Sequence, residues 1–139
     1  MTIFYNTGLD LMADWVTQDY KLALLDDTYV EDRTQQYLSE VLPYELLDLT
    51  VDYIRCTPTG KTRTTDVFLN RIVYDCDLLG FGAPTGGQIA GSMVLFKWTG
   101  DAISSPMIAN IDLGDVVMTG GLFAVVVNSA GLIYTDQGV

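Results

Sequence analysis

The chain has 139 residues, which is enough for one domain with its own core and too few for two ordinary ones. Its hydrophobic fraction of 49% excludes intrinsic disorder, and its 18 acidic against 7 basic residues give a net charge of −11, the wrong sign for binding nucleic acid through its phosphates. The chain has no histidine, which removes the commonest general base, metal ligand and near-neutral pH switch.

The residue types favour strands over helices. Fifteen of the 18 acids are Asp and three are Glu, and Lys also occurs three times. Surface helices are normally rich in Glu and Lys, whereas Asp and Gly occupy turns. Together with 15 Thr, 13 Val and eight Tyr, these counts predict a mainly β protein.

The first predicted element in chain order is a short helix within residues 1–16. Phe4, Leu11, Met12 and Trp15 form one apolar stripe at helical spacing. A terminal stripe of this kind packs on the core or docks on a neighbouring subunit, so we predict these four residues as interface residues. The N-terminus has no basic residue and no long apolar run, so neither a secretory signal nor a membrane span is expected.

A nearly all-apolar strand is predicted next at Tyr20–Leu25, at the centre of a sheet. Residues 30–49 are then predicted as a long excursion with local helix. Asp32 is placed to cap a helical turn over residues 33–38, and Pro43 must end or bend what precedes it. We expect subunit contacts on this excursion, at Tyr37, Leu38, Leu42, Leu46 and Leu47.

Beyond the excursion the polarity pattern is that of strands. They are predicted at residues 51–57, 60–66, 70–77, 89–98, 107–112 and 122–127, and the last of these is fully apolar and continues past a bulge at 132–134. Four glycines and a proline within residues 80–88 predict a loop. About seven strands with short links predict an antiparallel two-layer β-sandwich in one domain, 1–139.

No residue pattern predicts a catalytic, metal or cofactor site. Gly60-Lys61-Thr62 matches the end of a phosphate-binding loop, but Arg55 stands where the first glycine of that motif belongs, so a hairpin turn is favoured. Serine and cysteine nucleophiles lack a histidine base. We therefore expect no enzymatic activity, no catalytic residue and no cofactor.

Two acidic residues close together and two cysteines are weaker signals of a binding or covalent site. Asp75 and Asp77 lie on one strand face and form a weak calcium motif, with Asp26 and Asp27 as conceivable partners, and solvated surface acids are the favoured interpretation. The two cysteines, Cys56 and Cys76, are expected to be small buried hydrophobic residues. A disulfide between them depends on a distance that the sequence does not give.

The order of short motifs along the chain resembles a group of small virion proteins of tailed bacteriophages. The match weakens at residues 43–57, where Leu-rich sequence replaces a glycine-rich link. The motifs that carry the resemblance are Tyr5-Asn6 through Asp14-Trp15, Lys21–Leu25, Thr28-Tyr29, Tyr37–Val41, Gly60–Thr62, Asn70-Arg71, Lys97–Asp101, Ser104–Asp112 and Asn128–Leu132.

This resemblance implies a non-enzymatic structural subunit of the particle with a β-sandwich body. The expected role is a capsid decoration or cement protein that is made in the host bacterial cytoplasm and placed on the capsid surface. Its partners would be the major capsid protein or other virion proteins, and it would form a homo-oligomer, a trimer being one such state, with no direct contact to nucleic acid or membrane. A neck, tail or fibre component and a carbohydrate-binding module with an exposed Trp15 or Trp98 are the alternatives.

Overall fold

The computed structural model describes residues 2–5, 12, 14–46, 52–128 and 130–136. The strands among these residues pair antiparallel, which confirms the mainly β, antiparallel class. In chain order they are β1 (Thr2–Phe4), β2 (Tyr20–Asp26), β3 (Thr62–Asp66), β4 (Arg71–Asp75), β5 (Leu79–Gly80), β6 (Ile89–Lys97), β7 (Met107–Val117), β8 (Ala124–Val125) and β9 (Ile133–Asp136).

A four-stranded sheet of order β1-β7-β6-β2 is apolar on both faces. Leu24 and Leu95 face a core cluster that also contains Tyr74 of β4 and Ile133 of β9. The other face carries a second buried cluster, with Trp98 packed against it, made of Tyr5, Ala23, Leu25, Leu38, Val41, Val94, Phe96 and Met107. The sheet therefore buries apolar side chains on both faces, and both clusters stabilise it by the hydrophobic effect.

Strand β2 lies at the edge of this sheet in strand order, which corrects the predicted central position. Its outer edge is nevertheless paired. The Leu22 amide donates to the Cys56 carbonyl at 2.8 Å, and the Leu46 amide donates to the Leu24 carbonyl at 3.1 Å. The nearly all-apolar sequence of β2 thus reflects burial on both faces rather than a central place in the sheet.

The smaller sheets are a three-stranded sheet of order β3-β4-β9 and the pair β5-β8. In the three-stranded sheet, β3 is exposed along nearly its whole length, whereas Tyr74 of β4 and Ile133 of β9 are buried in the first core cluster. The predicted strands 60–66, 70–77, 89–98 and 107–112 correspond to β3, β4, β6 and β7, and β7 runs five residues further than predicted.

The predicted N-terminal helix is not confirmed. Phe4 ends strand β1, which pairs with β7 and places Phe4 opposite Ala109. Residues 6–11 of the predicted helix lie outside the described residues. Pairing with β7 gives the backbone N–H and C=O groups of β1 hydrogen-bond partners. A short isolated helix would have to supply those partners within itself.

The excursion contains local helix, but later than predicted. Two single-turn 3-10 helices occupy Leu38–Glu40 and Leu42–Tyr44, and residues 47–49 lie outside the described residues. Asp32 does not cap a helical turn over residues 33–38. Its side chain instead accepts a hydrogen bond from the Thr34 amide at 2.9 Å, which closes a tight turn.

Of two further predicted strands, one is absent from the described residues and the other is shorter than predicted. Of segment 51–57, the described residues make only isolated bridges, Leu22 with Cys56 and Tyr53 with Gly82. The apolar run 122–127 contains only the two residues of β8, and its Leu122 and Val126 side chains are exposed. Apolar composition therefore did not mark a buried strand here, because burial depends on which other segments cover the run. Among the described residues, no helix has the length and apolarity needed to cross a membrane.

Candidate functional site

The hairpin formed by β3 and β4 presents an apolar tip to solvent. Val67, Phe68 and Leu69 are 77%, 96% and 57% exposed. The Asp66 side chain accepts hydrogen bonds from the Phe68 and Leu69 amides at 3.0 and 3.1 Å, and Asn70 adopts a left-handed φ of 52°. These features are typical of a well-defined turn, and this turn holds the three apolar side chains in solvent.

The same hairpin carries cations close to aromatic rings. The Arg71 guanidinium lies 4.0 Å from the ring centroid of Tyr134, and that of Arg63 lies 5.9 Å from Tyr74. The Lys61 ammonium donates to the Gln18 carbonyl at 2.6 Å. The aliphatic parts of such side chains pack on the protein while their charge remains near the surface.

Charge is therefore divided unevenly along the chain. Residues 61–71 contain three of the seven cations, Lys61, Arg63 and Arg71, and one of the eighteen acids, Asp66, for a net charge of +2. The remaining 128 residues contain four cations and seventeen acids, for a net charge of −13. A basic hairpin with an apolar tip thus projects from an acidic protein.

An apolar cleft of about 670 Å³ lies beside the four-stranded sheet. Phe4 of β1 and Ile111 and Leu113 of β7 form one side, and Val125 to Val127 and Leu132 to Tyr134 form the other. Its volume and lining are within the range of sites that accommodate apolar groups. Hydrophobic residues on both sides of the cleft are only partly buried, so they can pack against an additional apolar side chain.

An acidic pocket of about 180 Å³ lies next to this cleft, and Asp112 lines both. The other acids around it are Asp26, Asp27, Glu31 and Asp115. The Asn110 amide at its base donates to the Ser92 hydroxyl at 3.0 Å, so these buried polar groups are satisfied.

The weak calcium motif finds no support in the described part of the chain, where no group of three or more acidic, cysteine or histidine side chains is arranged to hold a metal ion. The Asp75 side chain accepts a hydrogen bond from the Cys76 amide at 2.8 Å. Asp26 similarly accepts from the Thr28 amide at 2.9 Å. Both carboxylates thus have local structural roles.

Both cysteines are buried and free, so the chain does not form the disulfide that the sequence left open. Burial, with a further contribution from the Asp75 carboxylate, raises the pKa of Cys76 to about 12. Burial also raises the pKa of Cys56. Because the thiolate is the nucleophile, thiols with raised pKa values are poorly suited to covalent chemistry at neutral pH.

One buried polar network fixes the segment that covers β2. Arg55 donates to both carboxylate oxygens of Glu45, at 2.9 and 2.8 Å, and the Tyr53 hydroxyl donates to Glu45 at 2.8 Å. The same hydroxyl accepts a hydrogen bond from the Leu24 amide at 3.0 Å. Burial, and then the Glu45 charge, raise the pKa of Tyr53, which keeps the hydroxyl protonated as the network requires.

A second polar contact fixes the start of β2. The Asp14 carboxylate accepts hydrogen bonds from the Tyr20 hydroxyl and the Lys97 ammonium. Desolvation alone would raise the pKa of Asp14, but the bonds from Lys97 and Tyr20 outweigh it and lower that pKa. Asp14 therefore remains ionised in its pair with Lys97.

The predicted interface residues divide into three groups. Leu11 and Leu47 lie outside the described residues. Four others are buried within the chain: Met12, Trp15, Leu38 and Leu46. Those that remain accessible are Phe4, which lines the apolar cleft, and Tyr37 and Leu42 on the excursion.

Sequence reasoning missed the hairpin tip because it classified residues 67–69 only as the link between two strands. The available signal was three consecutive large apolar residues inside a turn, between Asp66 and Asn70. A comparison with family models, curated proteins and solved structures gives no match.

Proposed function

We propose that this chain is a structural subunit of a tailed-phage virion, acting as a capsid decoration or cement protein that bridges major capsid subunits. The ordered motifs in the sequence support the virion class. The apolar tip of the hairpin carries the interaction part of the proposal. Three exposed apolar side chains held by a defined turn have a hydration cost that contact with another protein would remove.

The size of the tip is suited to a repeated contact. Three side chains bury far less than the roughly 1,200–2,000 Å² of a stable isolated interface, so one such contact is weak. On a symmetric shell the same weak contact recurs at many equivalent sites and the contributions add. A sandwich-like body, in which the first core cluster joins residues of two sheets, would supply a firm base for the hairpin.

A carbohydrate-binding module is disfavoured because it needs an exposed aromatic platform. Trp15 is buried, and its indole N–H donates to the Asp75 carbonyl at 3.2 Å. Trp98 packs edge-on against Phe96, with the Arg55 guanidinium 5.6 Å from its ring centroid. Trp15 is therefore unavailable for stacking on a sugar ring, and Trp98 is only partly exposed and already packs against Phe96 and Arg55.

The proposal is tested on purified particles of the phage that encodes the chain. Quantitative mass spectrometry is expected to find the chain at a fixed, high ratio to the major capsid protein, and a particle density map is expected to place it on the head. A few copies at the neck or tail would favour the alternative virion role. Absence of the chain from the particles would overturn the proposal.

A matched pair of variants tests the role of the hairpin tip in that setting. Phe68→Ser is expected to reduce the number of copies retained on the particle because it removes the most exposed apolar side chain of the tip. Leu122→Ser removes an equally exposed apolar side chain elsewhere, at 91% exposure, and is expected to leave the copy number unchanged. Equal retention of both variants would contradict the role assigned to the tip.

A further inference from the structure

We infer that the apolar tip Val67–Leu69 of one copy of this chain inserts into the apolar cleft of a second copy. The contact would join copies through two different surfaces, one projecting and one recessed. This inference goes beyond the proposed virion role and holds whether or not the chain belongs to a particle.

The tip has the properties of an inserting element. Phe68 is 96% exposed, so its side chain occupies neither the cleft of its own chain nor any other part of it. The Asp66 side chain fixes the turn through two backbone amides, which lowers the entropy lost when the tip becomes bound.

The cleft has the properties of a receptor for such an element. It lies between β7 and the segment that leads into β9, and Ile111, Leu113 and Val127 give it apolar walls. Its volume of about 670 Å³ accommodates apolar side chains, and filling it would remove the exposed parts of these residues from water.

Charge complementarity identifies a second copy as the occupant. The hairpin carries Arg71 next to its apolar tip and Arg63 further along β3. The cleft has Asp112 at its rim and further acids in the adjoining pocket. With residues 61–71 at +2 and the rest of the chain at −13, a hairpin meets the opposite charge on another copy. An anionic membrane would instead be repelled by the whole chain at −11.

Sedimentation velocity over a concentration series tests the inference with three variants. Phe68→Ser removes the inserting side chain, and Val126→Lys places a positive charge at the cleft on a residue that is 82% exposed, so neither change disturbs buried packing. Leu122→Ser is the matched control at an exposed position outside the tip and the cleft lining.

The wild-type chain and the Leu122→Ser control are expected to associate as concentration rises. Phe68→Ser and Val126→Lys are each expected to weaken association by roughly 10-fold or more. The first loses burial of one large apolar side chain. The second sets a positive charge against the basic hairpin. A mixture of these two variants is expected to form a one-to-one complex, because one supplies an intact cleft and the other an intact tip.

The inference is overturned if the wild-type chain remains monomeric throughout the series, or if Phe68→Ser associates as the wild type does. It is also overturned if the mixed variants fail to form a complex. Binding of a monomeric wild-type chain to vesicles of phosphatidylserine, lost in Phe68→Ser, would overturn it in favour of a membrane partner. These outcomes are independent of whether the chain is found in virions.

Discussion

The Tyr53 hydroxyl joins a side-chain network to the backbone of β2. It donates to Glu45 and accepts from the Leu24 amide, and Glu45 is in turn held by two bonds from Arg55. A single oxygen atom thus satisfies groups on two segments that are far apart in sequence. Such buried networks contribute most when every member is paired.

Tyr53→Phe is therefore expected to destabilise the fold by about 1–3 kcal/mol, because it leaves the buried Leu24 amide without its acceptor while keeping the ring. Urea denaturation measures the change in the free energy of unfolding. Tyr134→Phe is the matched control, since the Tyr134 side chain is 45% exposed and its ring stays available to Arg71. Equal stability of the two variants would show that the network contributes nothing.

Both cysteine thiols are expected to react with thiol reagents more slowly in the folded chain than in the unfolded chain. Cys76 has its pKa raised to about 12 by burial and by the Asp75 charge, and Cys56 is also buried. We expect a disulfide exchange reagent at mildly alkaline pH to react with neither thiol in the folded protein and with both after denaturation.

A Leu122→Cys variant provides the control for that measurement. Its introduced thiol occupies a position that is 91% exposed, so one equivalent is expected to react while the protein is folded. Rapid reaction of the unmodified folded chain would contradict the burial of the two native thiols.

At the scale of elements, the link between the extended segment at residues 52–56 and the loop after β5 depends on close backbone approach. Tyr53 bridges to Gly82, and the Ala83 amide donates to the Asp52 carbonyl at 2.9 Å. A Cβ on Gly82 would lie 2.1 Å from that same carbonyl oxygen. Gly82 also has a φ of +68°, a region that favours glycine.

Gly82→Ala is expected to destabilise the protein more than Gly114→Ala does. The two glycines have similar φ values, +68° and +73°, but a Cβ on Gly114 would meet nothing within 4 Å. Each variant bears a backbone cost of about 1–2 kcal/mol, and Gly82→Ala adds the cost of displacing backbone, about 1–3 kcal/mol. Urea denaturation of both variants measures the difference, and equal losses would show that the close approach relaxes freely.

Two apolar segments of this chain differ in burial. Tyr20–Leu25 is a buried strand, as predicted, whereas in the run 122–127 Leu122 and Val126 are exposed. Local sequence gives the preference of a segment for apolar surroundings. It does not give the surroundings, which depend on which other segments are available to cover it.

At the scale of the whole molecule, buried tyrosines link stability to alkaline pH. Burial is the largest cause that raises the pKa of Tyr5, Tyr20 and Tyr53, so all three stay protonated in the folded chain beyond their ordinary range. The unfolded chain loses these protons near pH 10. Their contribution to stability is fully present below that pH and is lost as the pH rises, by roughly 1.4 kcal/mol per group per pH unit.

We therefore expect the absorbance change of these three of the eight tyrosines to coincide with unfolding at high pH. Tyrosinate absorbance and far-ultraviolet circular dichroism are measured together during the titration. Ionisation of all eight tyrosines with the strand signal intact would contradict this linkage.

The sequence alone determined the mainly β, antiparallel class and the locations of β2, β3, β4, β6 and β7. These features follow from composition, turn residues and period-two patterning, all of which act over a few neighbouring residues. The acidic charge was likewise fixed by composition, since ionisation at neutral pH needs little information about the fold.

Tertiary structure decided the pairing of β1 with β7, the edge position of β2, and the burial of Met12, Trp15, Leu38 and Leu46. It also decided that Val67–Leu69 project into solvent while a cleft opens beside β7. Each of these outcomes depends on contacts between residues distant in sequence. An apolar side chain carries the same local signal whether it fills the core or is held outside it.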